Sequence, residues 1–523
     1  MHSPMLTTPS LGGWHRRVAW LGLLGLTLIL LLTLLPLRFA ALLVGGGVVL
    51  TLALVDPVWA LYAAILSVPL QELVSLPGGL SYTQAALLLA TGSWGLHTLS
   101  APERLVRFGR IGVGFGLLLC AVSASLVFTP FSQLESVKEL VRWGGAALIY
   151  LLAFNTLRPA NGNARTWQWR TAGLLGCLLL APLAGAVLGL WQFATGDGPP
   201  SFAIAGGRFV RAYGTIGQPN SFAGYLNMAW PLALGVVLAG VSRPTHAWRS
   251  LPQAQRLRIT ALGGLAWNIG RNPLVSVGGS VAALLLAALA ASFSRGGWVG
   301  ALGGGAAMLL ALVDGFGPPL RRRVVRGVAI AAVAVVLLII AGGGGLLPAA
   351  VSSRVESITR SIRLFDVRTV MITPDNFAVV ERMAHIQAGW QMFVRNPLTG
   401  VGAGNFTRAY ESQLGGSIQP YALHPWYTSQ GHAHNYYLHS AAEMGLLGLL
   451  SYLTLLGLVC RQALVTLRTL HAGPWRGVAI GCIGVIASVA LHNMFENLHV
   501  LHLSLQLGAV WALMSILESE TSP

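Results

Sequence analysis

The chain has 523 residues, of which 54% are hydrophobic and only 9% charged. A soluble protein carries about 25% charged residues, so the composition excludes a soluble enzyme and indicates a polytopic helical membrane protein. The net charge of +17 is nearly all arginine, Lys138 being the one lysine, and it is spread through short loops rather than gathered on one domain, which argues against nucleic acid as a partner.

Arg16 and Arg17 precede an apolar run, Val18–Leu37. It is too long for a signal-peptide core and lacks a small-residue cleavage site, so it reads as an uncleaved first helix. Further runs follow at Phe39–Val55, Pro57–Leu70, Thr83–Leu99, Ile111–Thr129, Leu140–Thr156, Thr171–Phe193 and Phe222–Val241. The remainder are Leu274–Phe293, Gly296–Val313, Val324–Leu346, Tyr437–Cys460, Gly477–Phe495 and Leu498–Leu517. The second and third are short, so the expected fold is all-α with about 12–14 membrane spans. Cys120, Cys177, Cys460 and Cys482 all lie in apolar runs without metal or redox spacing and read as packing residues.

Arginine placement orients the chain. With a cytoplasmic N-terminus, the inner loops receive Arg104, Arg107, Arg110, Arg158, Arg165, Arg170, Arg321, Arg322, Arg323, Arg326, Arg461, Arg468 and Arg476, among others. The short outer loops hold only Arg38, Lys138, Arg208, Arg211 and Arg295. This is a strong positive-inside bias. It divides the chain into N-terminal spans (1–346), a large extracytoplasmic loop (347–434) and C-terminal spans (435–523). Within the loop, Ser352–Phe365 has the spacing of an interfacial amphipathic helix, and Phe377–Val394 reads as a second short helix stopped by Asn396-Pro397.

The threading puts three polar features on one non-cytoplasmic face. Arg295 sits in S-F-S-R-G-G-W between two apolar runs, where an unpaired arginine is costly; it is either a snorkelling interfacial residue or a ligand contact, its glycines letting a ligand approach the backbone. Arg211 opens R-A-Y-G-T-I-G-Q-P-N-S, a rigid turn before a helix that Asn220 or Ser221 would cap. A helix N-terminus beside an arginine suits an anion, although a structural loop arginine fits the residues equally well; Arg208 is a weaker candidate. The third feature is H-A-H-N-Y-Y-L-H-S-A-A-E-M-G-L-L-G, His432–Gly448. His434 suits a general base because imidazole titrates nearest neutral pH; the alternative is a histidine that only packs the following helix. His424, His432, His434 and His439 also suggest a metal site, weakly, because no carboxylate stands close in sequence. Glu443, nine residues past His434, is placed to pair with an arginine. Gly400–Phe406 (G-V-G-A-G-N-F) does not meet a nucleotide-loop pattern.

His434-Asn435, nine residues, then Gly445-x-x-Gly448 resembles the loop signature of bacterial O-antigen ligases, a family that includes O-antigen polymerases. The S-R-G turn at Arg295 and the G-x-x-G-x-P-N turn after Arg211 are similar to that family's turns. The resemblance covers mainly Arg211 to Gly448. It implies a glycosyltransferase that moves a glycan from a polyprenyl (undecaprenyl) diphosphate carrier to an acceptor sugar hydroxyl, with inversion and without metal or other cofactor. The implied acceptor is lipid A–core for a ligase, or a second lipid-linked glycan for a polymerase. The implied site is on the periplasmic or extracellular side of the cytoplasmic (inner) membrane, amid membrane lipids. His434 would be the catalytic base, Arg211 and Arg295 would hold the donor diphosphate, and Arg208, Asn220, Asn435 and Glu443 would support them. Guanidinium groups bind such oxyanions in a planar fork and stay charged, and charge accumulates on the diphosphate as it leaves. A transporter for the same lipid-linked glycan is the rival; it would show charges within its helices and often repeats, neither of which is seen here.

Overall fold

A computed structural model describes residues 37–71, 80–100, 105–157, 163–241, 272–314, 321–330, 366–373, 376–411, 431–471 and 473–519. The expected first helix, the eleventh span beyond residue 330, the amphipathic segment 352–365 and His424 lie outside the described residues. Among the described residues, seven helices are long and apolar enough to cross a membrane.

The elements in chain order are α1 (Leu37–Val55), α2 (Pro57–Ser67), α3 (Tyr82–Leu99), α4 (Gly109–Phe128), α5 (Gln133–Thr156) and α6 (Ala164–Thr195). A two-residue antiparallel pair follows, β1 (Ala203–Ile204) with β2 (Phe209–Val210). Then come α7 (Pro219–Asn227), α8 (Trp230–Val241), α9 (Pro273–Ala291), α10 (Arg295–Val313), α11 (Phe377–Arg395) and α12 (Phe406–Glu411). The chain ends with α13 (Tyr436–Thr469), α14 (Pro474–His492) and α15 (Leu503–Ser519). The polytopic all-α expectation is met. Several boundaries differ: α5 starts at Gln133 rather than Leu140, the expected span Phe222–Val241 is split into α7 and α8, and α13 runs on to Thr469 rather than Cys460. The last span starts at Leu503 rather than Leu498, leaving 493–502 as a polar corner between α14 and α15.

In lipid, helix association cannot draw on hydrophobic burial, so close backbone packing matters more. α14 packs between α8 and α10. A Cβ at Gly300 of α10 would lie 2.7 Å from the Ser488 carbonyl oxygen, and one at Gly481 of α14 would lie 2.7 Å from that of Pro231. The two glycines after Arg295 serve the same packing: a Cβ on Gly296 would meet His492, and one on Gly297 would meet Ala223. The space expected there for a ligand is filled by protein.

The helix ends sort into two groups. One gathers structural ion pairs and carbonyl contacts: Arg170 with Asp56 and the Thr156 carbonyl, Arg110 with Glu518 at 3.3 Å, and Arg476 with the Leu467 and Leu470 carbonyls. The other gathers the corner after α4, the turn before α7, the α9–α10 turn, the segment before α13 and the corner after α14. Thr129 donates to the Val401 carbonyl, Ala212 N–H to Ala291, and Tyr436 N–H to Asn493.

α13 is broken inside at Gly445 (φ 64°, ψ −158°). Such a break strands helix carbonyls and N–H groups, which must find partners in a membrane protein. The chain 397–402 supplies them. Val401 and Gly402 donate to the Ala442 and Glu443 carbonyls at 3.0 and 2.8 Å, and Leu446 N–H donates to Pro397 at 2.8 Å. A side chain at 445 would collide with the Leu398 carbonyl, so the first glycine of G-x-x-G is needed both for its φ and for this approach.

Substituting Gly300 by Val should force α10 from α14 and destabilise the protein by about 1–3 kcal/mol. The measurement is Tm of the purified protein in detergent; an unchanged Tm would contradict the close approach.

Candidate active site

The second group of helix ends surrounds one buried carboxylate, Glu496, in the corner after α14. Its residue is 4% exposed. Oε2 accepts from Asn220 Nδ2 at 2.8 Å; Oε1 lies 3.3 Å from His432 Nε2 and 3.5 Å from His434 Nδ1. Burial pushes the Glu496 carboxyl up, but His432, His434 and the Arg382 guanidinium outweigh it and hold the group below the usual carboxylate range. It is therefore ionised at neutral pH.

Asn220 links this carboxylate to an arginine. Its Oδ1 accepts from Arg211 Nη2 at 3.0 Å, while Arg211 Nε donates to the Ser292 carbonyl at 2.9 Å in the α9–α10 turn. The expected capping role does not hold for Asn220: α7 begins from Gln218 without a side-chain cap, Pro219 sits in its first turn, and the Asn220 amide is left to bridge. Three cations crowd together here. Burial, then the charges of Arg382 and Arg295, weaken the hold of Arg211 on its proton, with Glu496 opposing. Arg295 is the first residue of α10, following Ser294, which caps the helix by accepting from Gly297 N–H. Arg208 is exposed, over the Phe209 ring at 5.3 Å, and makes no hydrogen bond or ion pair with the cluster among the described residues.

The two histidines differ in what their ring nitrogens do. His432 Nδ1 accepts from the His434 backbone N–H at 3.2 Å, and its Nε2 faces Glu496, so both are engaged. His434 Nδ1 lies 3.5 Å from the same carboxylate oxygen, and neither of its buried ring nitrogens has a hydrogen-bond partner among the described residues. A carboxylate beside Nδ1 favours the tautomer with the proton there, which leaves the Nε2 lone pair open. His434 also holds a left-handed backbone, φ 51°. For a non-glycine residue this is strained, and such strain concentrates at functional sites.

Asn435 is structural. It caps α13 through Leu438 N–H at 3.0 Å and donates to the Met494 carbonyl at 3.1 Å, tying the histidine segment to the Glu496 corner. Glu443 differs from the expected arginine partner. Its two oxygens accept from Gly404 N–H (2.7 Å) and Phe406 N–H (2.9 Å), and His439 Nε2 lies 3.4 Å away. It anchors the Gly400–Phe406 turn against α13.

Sequence reasoning missed Glu496, Arg382 and His385. Arg382 and His385 share one face of α11, three residues apart. The buried His385 ring lies 5.4 Å from that of His434 and nearly parallel to it. Burial, aided by His434 and His432, pushes its imidazole down to about 3, so it is neutral. The available signal for Glu496 was H-N-M-F-E-N-L-H at 492–499, a polar stretch between two apolar runs.

His432, His434 and Glu496 each place a ligand atom within 4.8 Å of the others. Two imidazoles and a carboxylate form a set that zinc uses, and Glu496 supplies the carboxylate that the sequence did not offer nearby. Against a cation stand the hydrogen bond that occupies His432 Nδ1 and the Arg382 charge acting on both His432 and Glu496.

The fold and site thus define a multi-pass helical membrane protein with an arginine- and histidine-lined polar cluster where several helices end. Residues 280–453, about a third of the chain, match the family model described as O-antigen ligase, in agreement with the resemblance carried by the His434 and Arg295 motifs. The matched stretch holds Arg295, Arg382, His385, His432, His434 and Glu443, whereas Arg211, Asn220 and Glu496 lie outside it. No curated protein matches the chain.

Replacing Glu443 by Ala should leave the Gly404 and Phe406 N–H groups without acceptors, at a cost of about 1–3 kcal/mol for each group orphaned. Glu443→Gln retains one acceptor and should lose less. Tm values in detergent for the pair check this; equal stability of Glu443→Ala and the unaltered protein would remove the anchoring role.

Proposed function

We propose that the protein transfers a glycan from a polyprenyl diphosphate donor to an acceptor sugar hydroxyl at the extracytoplasmic face of the cytoplasmic membrane, as an O-antigen ligase with lipid A–core as acceptor. The observation that carries this reading is the pairing of His434 with Glu496 beside Arg211, Arg295 and Arg382. A polymerase that joins lipid-linked repeat units would use the same groups. The family match favours either over the transporter reading.

In the proposed step the acceptor oxygen attacks the anomeric carbon and its proton passes to His434 Nε2. The new C–O bond forms as the bond from the anomeric carbon to the donor phosphate oxygen breaks. The electron pair leaves with the diphosphate, and the configuration inverts. Arg211 and Arg295 meet the charge that gathers on the leaving group. Glu496 keeps the imidazole oriented and stabilises it once protonated, as a carboxylate does beside a catalytic histidine. No metal enters this scheme. Asn220 positions both the arginine and the carboxylate, and Asn435 fixes the histidine segment to the helix it caps.

The arginine threading supports the proposed side. The turns bearing Arg211, Arg295 and His434 share one group of helix ends, while Arg110, Arg170 and Arg476 share the other. A cysteine replacing Met371, 82% exposed, should react with an impermeant thiol reagent in intact cells; labelling only after lysis would overturn the orientation.

The function is tested by reconstituting the purified protein with an undecaprenyl diphosphate glycan and lipid A–core. Ligation predicts capped lipid A–core, and polymerisation predicts a ladder on the carrier. Unchanged donor in every condition would sink both. A chelator should leave transfer intact; loss of activity on chelation, restored by zinc, would favour a metal at His432, His434 and Glu496.

The site residues make separate demands. His434→Ala should lower transfer by about 10²–10⁴-fold while donor binding persists. At Arg211 and Arg295, lysine should rescue poorly, because a point charge lacks the planar fork. Near-normal transfer by either alanine variant, at normal membrane levels, would remove that arginine from the site.

A further inference from the structure

A second polar space is lined by His432 but by none of Arg211, Arg295 and Arg382. It is a cavity of about 190 Å³, where one water needs roughly 10–15 Å³. Its floor and walls come from the first turns of α5, from His432 and His439, and from Asn497 beside Glu496. Val500 closes one side.

The charges differ in kind from those around Arg211. Lys138 pairs with Glu135 at 3.1 Å, Arg142 pairs with Glu139, and Glu443 also faces the space. Carboxylates match or exceed cations, so this is not a phosphate site. What it offers is a ring of fixed donors and acceptors around a volume well above one water. Buried polar groups are normally satisfied, yet the Nδ1 of His439, whose side chain is only 9% exposed, has no hydrogen-bond partner among the described residues. That atom belongs to a wall residue of the cavity. Lys138 is 58% exposed and Glu135 26%, so the space opens outward at the start of α5, the end of that helix near the histidine segment.

We propose that this cavity holds a sugar of the acceptor, through its uncharged, hydroxyl-rich face, and presents the reacting hydroxyl past His432 to His434. The inference rests on the glycosyltransferase reading and adds to it a division of the site. The donor diphosphate lies with the arginines, the acceptor sugar lies with Glu139, Arg142 and His439, and the histidine pair forms the wall between. The His432 and His434 rings are 4.3 Å apart, centre to centre, so a sugar against His432 is one ring from the base. Carboxylate and guanidinium groups held in fixed pairs suit sugar hydroxyls, which both donate and accept. An acceptor could be the core sugar of lipid A–core or the terminal sugar of a second lipid-linked glycan; both offer the same hydroxyl chemistry.

The test uses the full-length protein in nanodiscs with undecaprenyl diphosphate glycan as donor. The acceptor, in separate arms, is lipid A–core lacking O-antigen or excess lipid-linked glycan. Three variants are compared: Lys138→Ala at the exposed mouth, Arg142→Lys, and Val500→Phe, which fills the space without touching a charge and so survives should the Arg142 variant misfold. The inference predicts that acceptor KM rises about tenfold or more, the loss of one or two good hydrogen bonds, while donor binding is unchanged. The arm in which KM rises identifies the acceptor. Transfer with unaltered acceptor KM in the variants that fold would overturn the inference and leave the proposed function standing, as would donor binding falling in parallel with KM. Absence of transfer by the unaltered protein in both arms would instead remove the proposed function, and this inference with it.

Discussion

The burial of one carboxylate organises this site. Glu496 lies in a corner between two membrane helices, and an unpaired buried charge there would cost several kcal/mol. Its partners come from distant parts of the chain: Asn220 after the Arg211 turn, and His432 and His434 before α13. Satisfying this one group therefore fixes three segments relative to one another. Arg211 is drawn in through Asn220, and through its bond to Ser292 it meets the turn that carries Arg295.

A second constraint holds the roof in place. The break of α13 at Gly445 frees backbone groups that the chain from Pro397 to Gly402 takes up, and Glu443 receives the two N–H groups that follow. The same turn reaches the corner after α4, where Asn405 exchanges hydrogen bonds with Ser132. The segment before α13 is thus pinned to membrane helices by backbone bonds, and α11 is positioned to bring Arg382 and His385 to the site. The chemistry proposed above depends on this rigidity, since a base and an anion clamp are useful only when held in register.

Much of the fold was legible because apolar runs near membrane length are hard to read otherwise. Span boundaries such as Leu274–Phe293 and Gly296–Val313 fall within a few residues of the observed α9 and α10. The spaced motif around His434 and the two arginine turns could be picked out because each sets a polar residue beside glycines in an apolar chain. Glu496 was not legible: a lone acid between two apolar runs looks like an ordinary loop residue, and its meaning lies in partners 62 to 276 residues away in sequence. The roles of Asn220 and Glu443 were misread for a related reason. Each sits where local rules suggest a cap or an ion pair, and each instead spends its hydrogen bonds on long-range contacts. The glycines after Arg295 likewise looked like room for a ligand, and only helix packing reveals that α14 and α7 fill it.

The central claim is that Glu496 acts on the reaction through His434. The most direct measurement is a double-mutant cycle on transfer rate, with Glu496→Gln, His434→Ala and the two combined, each at matched membrane level and with donor binding recorded. Residues that work as one unit are strongly non-additive. The account predicts that Glu496→Gln slows transfer substantially in the presence of His434, and that adding it to His434→Ala changes little. Losses that simply multiply would contradict the account, because they would mean that the carboxylate and the imidazole serve separate ends.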